Sequence, residues 1–283
     1  MTAARWRLRL AKHLRRPRVF LSVIALAAVV AGALLGPLYP IDPLEQDLMA
    51  TLKPPMFASG GVTHVAGTDQ LGRDVLARLL AGARVSLALG ATALAIAMTL
   101  GVVLGVLAGF LGGVVDAVIT AITETLMALP FVLLAIAVIA AVGASLPVVI
   151  LTLGLTGWVS FARLTRARVL ELRDEEYVVA AQALGARRWR LMLKHLFPNL
   201  VPIIVVEGTL QLGGLILAEA GLSFLGLGVQ PPTPSWGGML AESQVFVAVA
   251  WWLPTLPGLV LLVTLLAVNL LGDTLRDLTA PGG

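Results

Sequence analysis

Three glutamates stand inside otherwise apolar stretches of this chain: Glu124, Glu207 and Glu219. A lone charge in lipid is costly, so such residues turn toward a protein interior or a polar route. There they either hydrogen-bond neighbouring helices or line a path for an amine or a cation, and the residue types fit both. Glu207 and Glu219 are twelve positions apart, a rotation of about 120° on a helix, so they need not share a face. Other chemistry is excluded by what the chain lacks. It has no cysteine, which removes disulfides, thiolate metal sites and thiol nucleophiles. Its histidines, His13, His64 and His195, are far apart in sequence, so no HExxH-type metal site can be written. None of the three lysines follows a glycine, so the chain has no GK[ST] phosphate loop. If ATP drives this protein, another chain binds it.

The elements that must hold these acids are membrane spans. Hydrophobic residues make up 58% of the 283-residue chain and charged residues 13%, against roughly 45–50% and about 25% in soluble domains. Charge-free stretches predict spans near 19–41, 85–115, 117–142, 147–165, 200–222 and 251–272. The division between the third and fourth falls at Gly143–Pro147, where Gly ends a helix and Pro cannot continue one. Sixteen of the 20 Lys and Arg fall in residues 1–18, 163–194 and the tail. The positive-inside rule makes those segments cytoplasmic, and the even number of spans between the first two agrees. The +4 balance therefore records topology rather than a nucleic-acid partner. The first apolar run exceeds 20 residues, longer than a secretory signal core, so it reads as an uncleaved span.

The expected organisation is a basic cytoplasmic N-terminus (1–18), a first span (19–41), an extracytoplasmic loop (42–84) and a five-span core (85–272) with a cytoplasmic tail (273–283). The core includes a cytoplasmic loop at 166–198 and an outer loop at 226–246. In the 42–84 loop, Thr68 or Asp69 can cap an amphipathic helix running to Arg84, with Asp74 paired to Arg78. Gly101, Gly105 and Gly109 form a small-xxx-small row that predicts close helix packing. Trp236, Trp251 and Trp252 suit the outer membrane interface. The Gly- and Pro-rich stretch 226–236 cannot cross a membrane and reads as an ordered loop over the outer mouth.

The cytoplasmic loop predicts a helix–Gly–helix. Asp174 can cap the first helix, and Glu175 and Glu176 suit its first turn. Gly185 ends it, and a basic amphipathic helix follows from Arg187 to Phe197, stopped by Pro198. Small residues at Ala180, Ala181 and Ala183 allow a partner surface to come close. Physics alone fits equally a helix pair lying on anionic lipid.

The same residues resemble the EAA loop of permease subunits of binding-protein-dependent ABC importers. Ala180, Ala181, Gly185 and Pro198 stand at the matching positions. Val179 replaces the pattern's Glu, His195 its Ile and Phe197 its Leu. Val179 removes the acid and leaves the helix–Gly–helix geometry intact. GTDQLGRD (67–74), AEAGLSFLGLGVQPPTPSWG (218–237) and NLLGDTLRD (269–277) are similar to the dipeptide, oligopeptide and nickel branch of that family. The resemblance covers roughly residues 60–280.

It implies an all-α, six-span permease of type I importer architecture in the cytoplasmic membrane of a prokaryote. The chain itself would be no enzyme and bind no cofactor; ATP and magnesium would sit on two ATPase subunits or domains. The other partners implied are a second homologous permease, an extracytoplasmic binding protein and the lipid bilayer. ATPase coupling falls to Ala180, Ala181, Gly185, Ala186, Arg187 and Pro198. Candidate pathway residues are Glu124, Glu207 and Glu219, and candidate binding-protein contacts are Asp69, Arg73 and Asp74. Peptides are the expected cargo, with nickel or another small solute as the alternative. A secondary transporter would show inverted repeats, and none is clear here. A membrane enzyme would need clustered titratable groups.

Overall fold

A computed structural model of the chain describes residues 17–59 and 62–279. The elements, in order, are α1 (Pro17–Leu35), a short hairpin of β1 (Phe57–Ser59) and β2 (Val62–His64), and α2 (Val75–Leu111). Then come α3 (Gly113–Ala128), α4 (Phe131–Val142), α5 (Leu146–Arg173) and α6 (Glu176–Ala183). The chain finishes with α7 (Arg188–Phe224), α8 (Trp236–Ser243) and α9 (Trp252–Thr279). Apart from the hairpin the architecture is all helical. Helices α1, α2, α5, α7 and α9 are long and apolar enough to cross a membrane. The pair α3 and α4 makes a sixth crossing if its 92° bend is counted within one span.

The core of the bundle is the pair α2 and α5, the most extensively packed helices in the chain. The glycine row explains why. A Cβ added to Gly101 would lie 2.4 Å from the Trp158 carbonyl oxygen, and one on Gly105 would lie 2.5 Å from that of Ala162. On Gly109 it would lie 2.8 Å from Val169 Cβ. Only glycine lets the two backbones approach this closely. Contacts advance together along both helices, so α2 and α5 run parallel. α7 meets α9 antiparallel, Gly213 beside Asn269 and Gly272 beside Thr209. Successive crossings therefore alternate. Helix α6 and the described chain ends lie at one end of the bundle, termed here the α6 end. The hairpin, the 36–74 segment and α8 lie at the other, the platform end.

Four expectations are corrected. First, no boundary separates an amphipathic helix from a span near Arg84. Asp74, not Thr68 or Asp69, caps α2 by accepting from Ala77 N, and the helix runs unbroken for 37 residues. Its long apolar stretch and a face of small residues against α5 give it no reason to break. Second, the third span is broken at Leu129–Pro130, because Pro130 removes a backbone donor and leaves the helical path. Third, Pro198 does not stop a helix. Residues Leu191–Leu196 adopt a π-helical register, and α-helical turns resume at Phe197. The wider turn absorbs the missing N–H and the clash of the proline ring with the preceding turn. Fourth, Trp236 and Trp252 are buried rather than interfacial. Their indole N–H groups donate to Leu79 O at 3.1 Å and Thr68 O at 3.2 Å. Trp251 alone of the three is exposed.

Two smaller readings also change. Asp174 caps the C-terminal end of α5, and α6 begins after Glu175 without a side-chain cap. Most of the basic N-terminal cluster, Arg5 to Arg16, lies outside the described residues. The break at Gly143–Pro147 is present: Gly143 closes α4 with φ +98°, and Pro147 occupies the first turn of α5.

Candidate functional site

At the platform end, the 67–74 motif folds into a tight polar knot. Thr68 Oγ1 donates to Ala50 O and accepts from Lys53 N, which holds the preceding loop in place. The Asp69 carboxylate accepts from the backbone N–H groups of Leu71 and Arg73, from Arg73 Nε at 2.7 Å and from Arg78 Nη1 at 2.5 Å. Gly72 has φ +73°, and a Cβ there would overlap Asp47 O, so only glycine fits the turn. Asp74 caps α2 with one oxygen and meets His64 Nδ1 at 2.9 Å with the other. Glu242 of α8 completes the knot, accepting from Gln70, Arg73 and both terminal nitrogens of Arg78 at 2.9–3.1 Å. Burial acts to raise the Glu242 carboxyl, but the hydrogen bonds and charge of Arg78, with help from Arg73 and Gln70, hold it below the usual carboxylate range.

Asp69, Arg73 and Asp74, expected as contacts for a binding protein, are thus buried in this chain. The expected Asp74–Arg78 pair does not form. Arg78 turns to Asp69 and Glu242, because Asp74 spends its oxygens on the helix cap and His64. Sequence reasoning missed Glu242. The available signal was a single acid in an otherwise uncharged outer loop, facing a motif with two arginines nearby.

The three intramembrane glutamates divide. Glu219 is fully buried. It accepts from Ser223 Oγ at 2.6 Å and lies 3.5 Å from Ser86 Oγ, which in turn accepts from Trp236 N. It ties α2, α7 and the start of α8 together, which is helix packing. Glu124 and Glu207, in contrast, converge. They line one cavity of about 840 Å³ together with Thr120, Thr123, Ser160 and Arg163. A second, more apolar cavity of about 350 Å³ is lined by Phe131, Leu134, Leu153, Leu215, Gln211 and again Arg163. The end of α3 contributes to both, and the elbow and α4 to the second. Arg166 also borders the first cavity, but its Nε and Nη2 grip Asp116 at 2.5 and 2.7 Å, a bidentate pair joining α5 to α3.

At the α6 end, the helix–Gly–helix is present. Gly185 has φ +81°, its N–H donates to Gln182 O, and Ala186 N–H donates to Ala181 O. These two bonds are a Schellman closure, whose left-handed position favours glycine. Val178 is buried against Leu172, Leu191 and Leu196, which seats α6 on α5 and α7. Ala181 and Ala186 pack beside that cluster, while Ala180, Gly185, Arg187 and Pro198 are exposed. Tyr177, Val179 and Leu184 point outward, Leu184 at 89% exposure. The turn therefore presents an apolar knob with a rim of Arg187, Arg188 and Arg190.

Residues 101–282 match the family described as binding-protein-dependent transport system inner membrane component. This chain belongs to that family. The dipeptide transport system permease protein of Escherichia coli (strain K12) is 44% identical over 264 residues, covering 93% of this chain and 87% of that protein. The di/tripeptide transport system permease protein of Pseudomonas aeruginosa (strain UCBPP-PA14) is 41% identical, covering 89% and 84%. A glutathione transport system permease protein of Shigella flexneri serotype 5b is 44% identical over 218 residues. Among solved structures, an inward-facing form of the MetNI methionine ABC transporter superposes with a TM-score of 0.60 at 21% identity, over 72% of this chain and 97% of that one. The fold is that of an ABC-importer permease, and the protein is a multi-pass membrane component of a transport system.

Proposed function

We propose that this chain is the permease subunit that carries peptides across a prokaryotic cytoplasmic membrane, paired with a second, homologous permease. The reading rests on the relatives: proteins 41–44% identical over most of their length are permeases of dipeptide, di/tripeptide and glutathione systems. An extracytoplasmic binding protein would deliver cargo to the platform end. Asp69, Arg73 and Asp74 then act by holding the shape of that platform rather than by touching the partner. Residues 1–18 and the tail would be cytoplasmic, with α6.

Hydrolysis belongs to two separate ATPase subunits or domains, which carry ATP and magnesium. Their closure on nucleotide binding would draw the α6 turns of the two permeases together and reorient the spans. Coupling of this kind requires nucleotide to favour one of the two states. The exposed apolar knob of Tyr177, Val179 and Leu184 supports α6 as the docking piece. Its seat on α5 supports transmission to the α2–α5 core.

The test is uptake by the complete importer in vesicles, with and without ATP, across dipeptides, longer peptides and nickel. ATP-dependent accumulation of peptide is expected, and accumulation of nickel alone would overturn the cargo reading. Gly185→Val forces a β-branched residue into a left-handed conformation costing roughly 1–2 kcal/mol. A Cβ at Gly185 meets nothing within 4 Å, so the strain lies in the backbone alone. Uptake is expected to fall while ATP hydrolysis continues, and Gly185→Asn, which tolerates that conformation, should retain more of it. Undiminished uptake by Gly185→Val would remove the coupling role.

A further inference from the structure

We propose that Arg163 is the receptor for the cargo's terminal carboxylate within the pathway, acting opposite Glu124 and Glu207 as receptors for its ammonium. This rests on the peptide reading above and names how the pathway would recognise that class. The two cavities share Met127, Ser160 and Arg163, so Arg163 stands at their junction. Arg163 is exposed, and its only polar contact among the described residues is the weak acceptor Met127 Sδ, at 2.9 Å. Arg166, one turn away, has its charge matched by Asp116. Glu124 and Glu207 form no ion pair or side-chain hydrogen bond among the described residues. Glu124 still feels the charge of Arg166 across the cavity. One cation and two carboxylates without a salt-bridge partner therefore face the same space.

Carboxylates such as Glu207 inside a span are costly and mark candidate pathways, and Arg163 stands on the wall of the same cavity nearer the α6 end of α5. A guanidinium fork matches a carboxylate, and carboxylates match an ammonium. A zwitterion with free termini presents both. The second cavity adds Phe131, Leu134, Leu153 and Leu215, an apolar wall for a side chain. The combined arrangement, mostly apolar with a few convergent polar groups and of several hundred Å³, has the form of a small-ligand site. Nickel would gain nothing from Arg163. Binding must stay weak enough to release cargo, and one or two exposed charge contacts per terminus meet that need.

The complete importer in vesicles should be assayed with a free dipeptide, its C-terminal amide and its N-acetyl form. The binding protein is the same in every arm, so its preferences cancel in the ratio of variant to parent. Arg163→Gln should lower uptake of the free dipeptide by about tenfold, the size of one charge-assisted hydrogen bond, and leave the amide ratio near one. Arg163→Lys should recover part of the loss. Glu207→Gln should act on peptides with a free amine and spare the N-acetyl form.

The absence of native cysteine allows a second readout that needs no transport. In a Ser160→Cys importer, free dipeptide should slow thiol labelling of this chain several-fold, and the amide should not. Equal losses for dipeptide and amide in Arg163→Gln, unchanged dipeptide uptake, or no protection at Ser160→Cys would each overturn the site. Those failures leave peptide uptake by the parent importer intact, whereas a parent that takes up no peptide would overturn the cargo reading itself.

Discussion

At the platform end, Arg73 and Arg78 close on Asp69 and Glu242 until most charged atoms have a partner; Arg78 Nε is buried without one. Toward the α6 end of the bundle, Arg163, Glu124 and Glu207 line a cavity and form no ion pair among the described residues. Both groups are ionic and both sit among apolar helices. The first is largely buried and self-sufficient, which is how a folded structure tolerates charge. The second remains open, as the proposed pathway role requires. Residue type did not separate them; the number of partners did.

That contrast can be broken most sharply at Arg78. Arg78→Leu would leave the buried Asp69 and the partly exposed Glu242 with too few partners, and removing one member of a buried pair costs about 3–5 kcal/mol. The expected result is a large drop in thermal unfolding temperature of the purified chain. Arg163→Gln in the same assay should stay within roughly 0.5 kcal/mol, as exposed substitutions do. Similar losses for the two variants would erase the distinction.

A second, intermediate effect concerns acid. Glu242 is held below the usual carboxylate range by Arg78 and Arg73. A depressed carboxyl contributes stability that is fully present above its unfolded value, about 4.3, and is lost as pH falls through the lowered folded value. The share of platform stability carried by Glu242 should therefore be lost only in strongly acidic solution. Glu242→Gln should be less stable at neutral pH and show a flatter acid limb. An unchanged acid limb would mean that other carboxylates carry the transition.

Much of this was written in the sequence. The glycine row at 101, 105 and 109, the break at Gly143–Pro147 and the turn at Gly185 were legible because glycine and proline act locally. Less legible were features in which distant segments decide. Nothing near Pro198 announces that a π-helical turn will absorb it, and nothing near Arg84 shows that α2 continues. The elbow at Pro130 falls inside the span expected at 117–142, where the apolar run gives no sign of a bend. Among the acids, sequence marked Glu124, Glu207 and Glu219 alike. Only packing shows that Ser86 and Ser223 occupy Glu219, while the other two reach a common cavity. Glu242, 164 positions from Arg78, was beyond any local rule.

The seam between α2 and α5 has a mechanical consequence. Where backbone lies on backbone there is no layer of side chains to shear, so the two helices form a stiff spar. Compliance must then reside elsewhere, at the Pro130 elbow and the π turn below Pro198. A push arriving through α6 would be delivered whole to the spar and spent as bending at those two joints. Spin-label distances measured across the seam should stay fixed through the nucleotide cycle, while those across the elbow change.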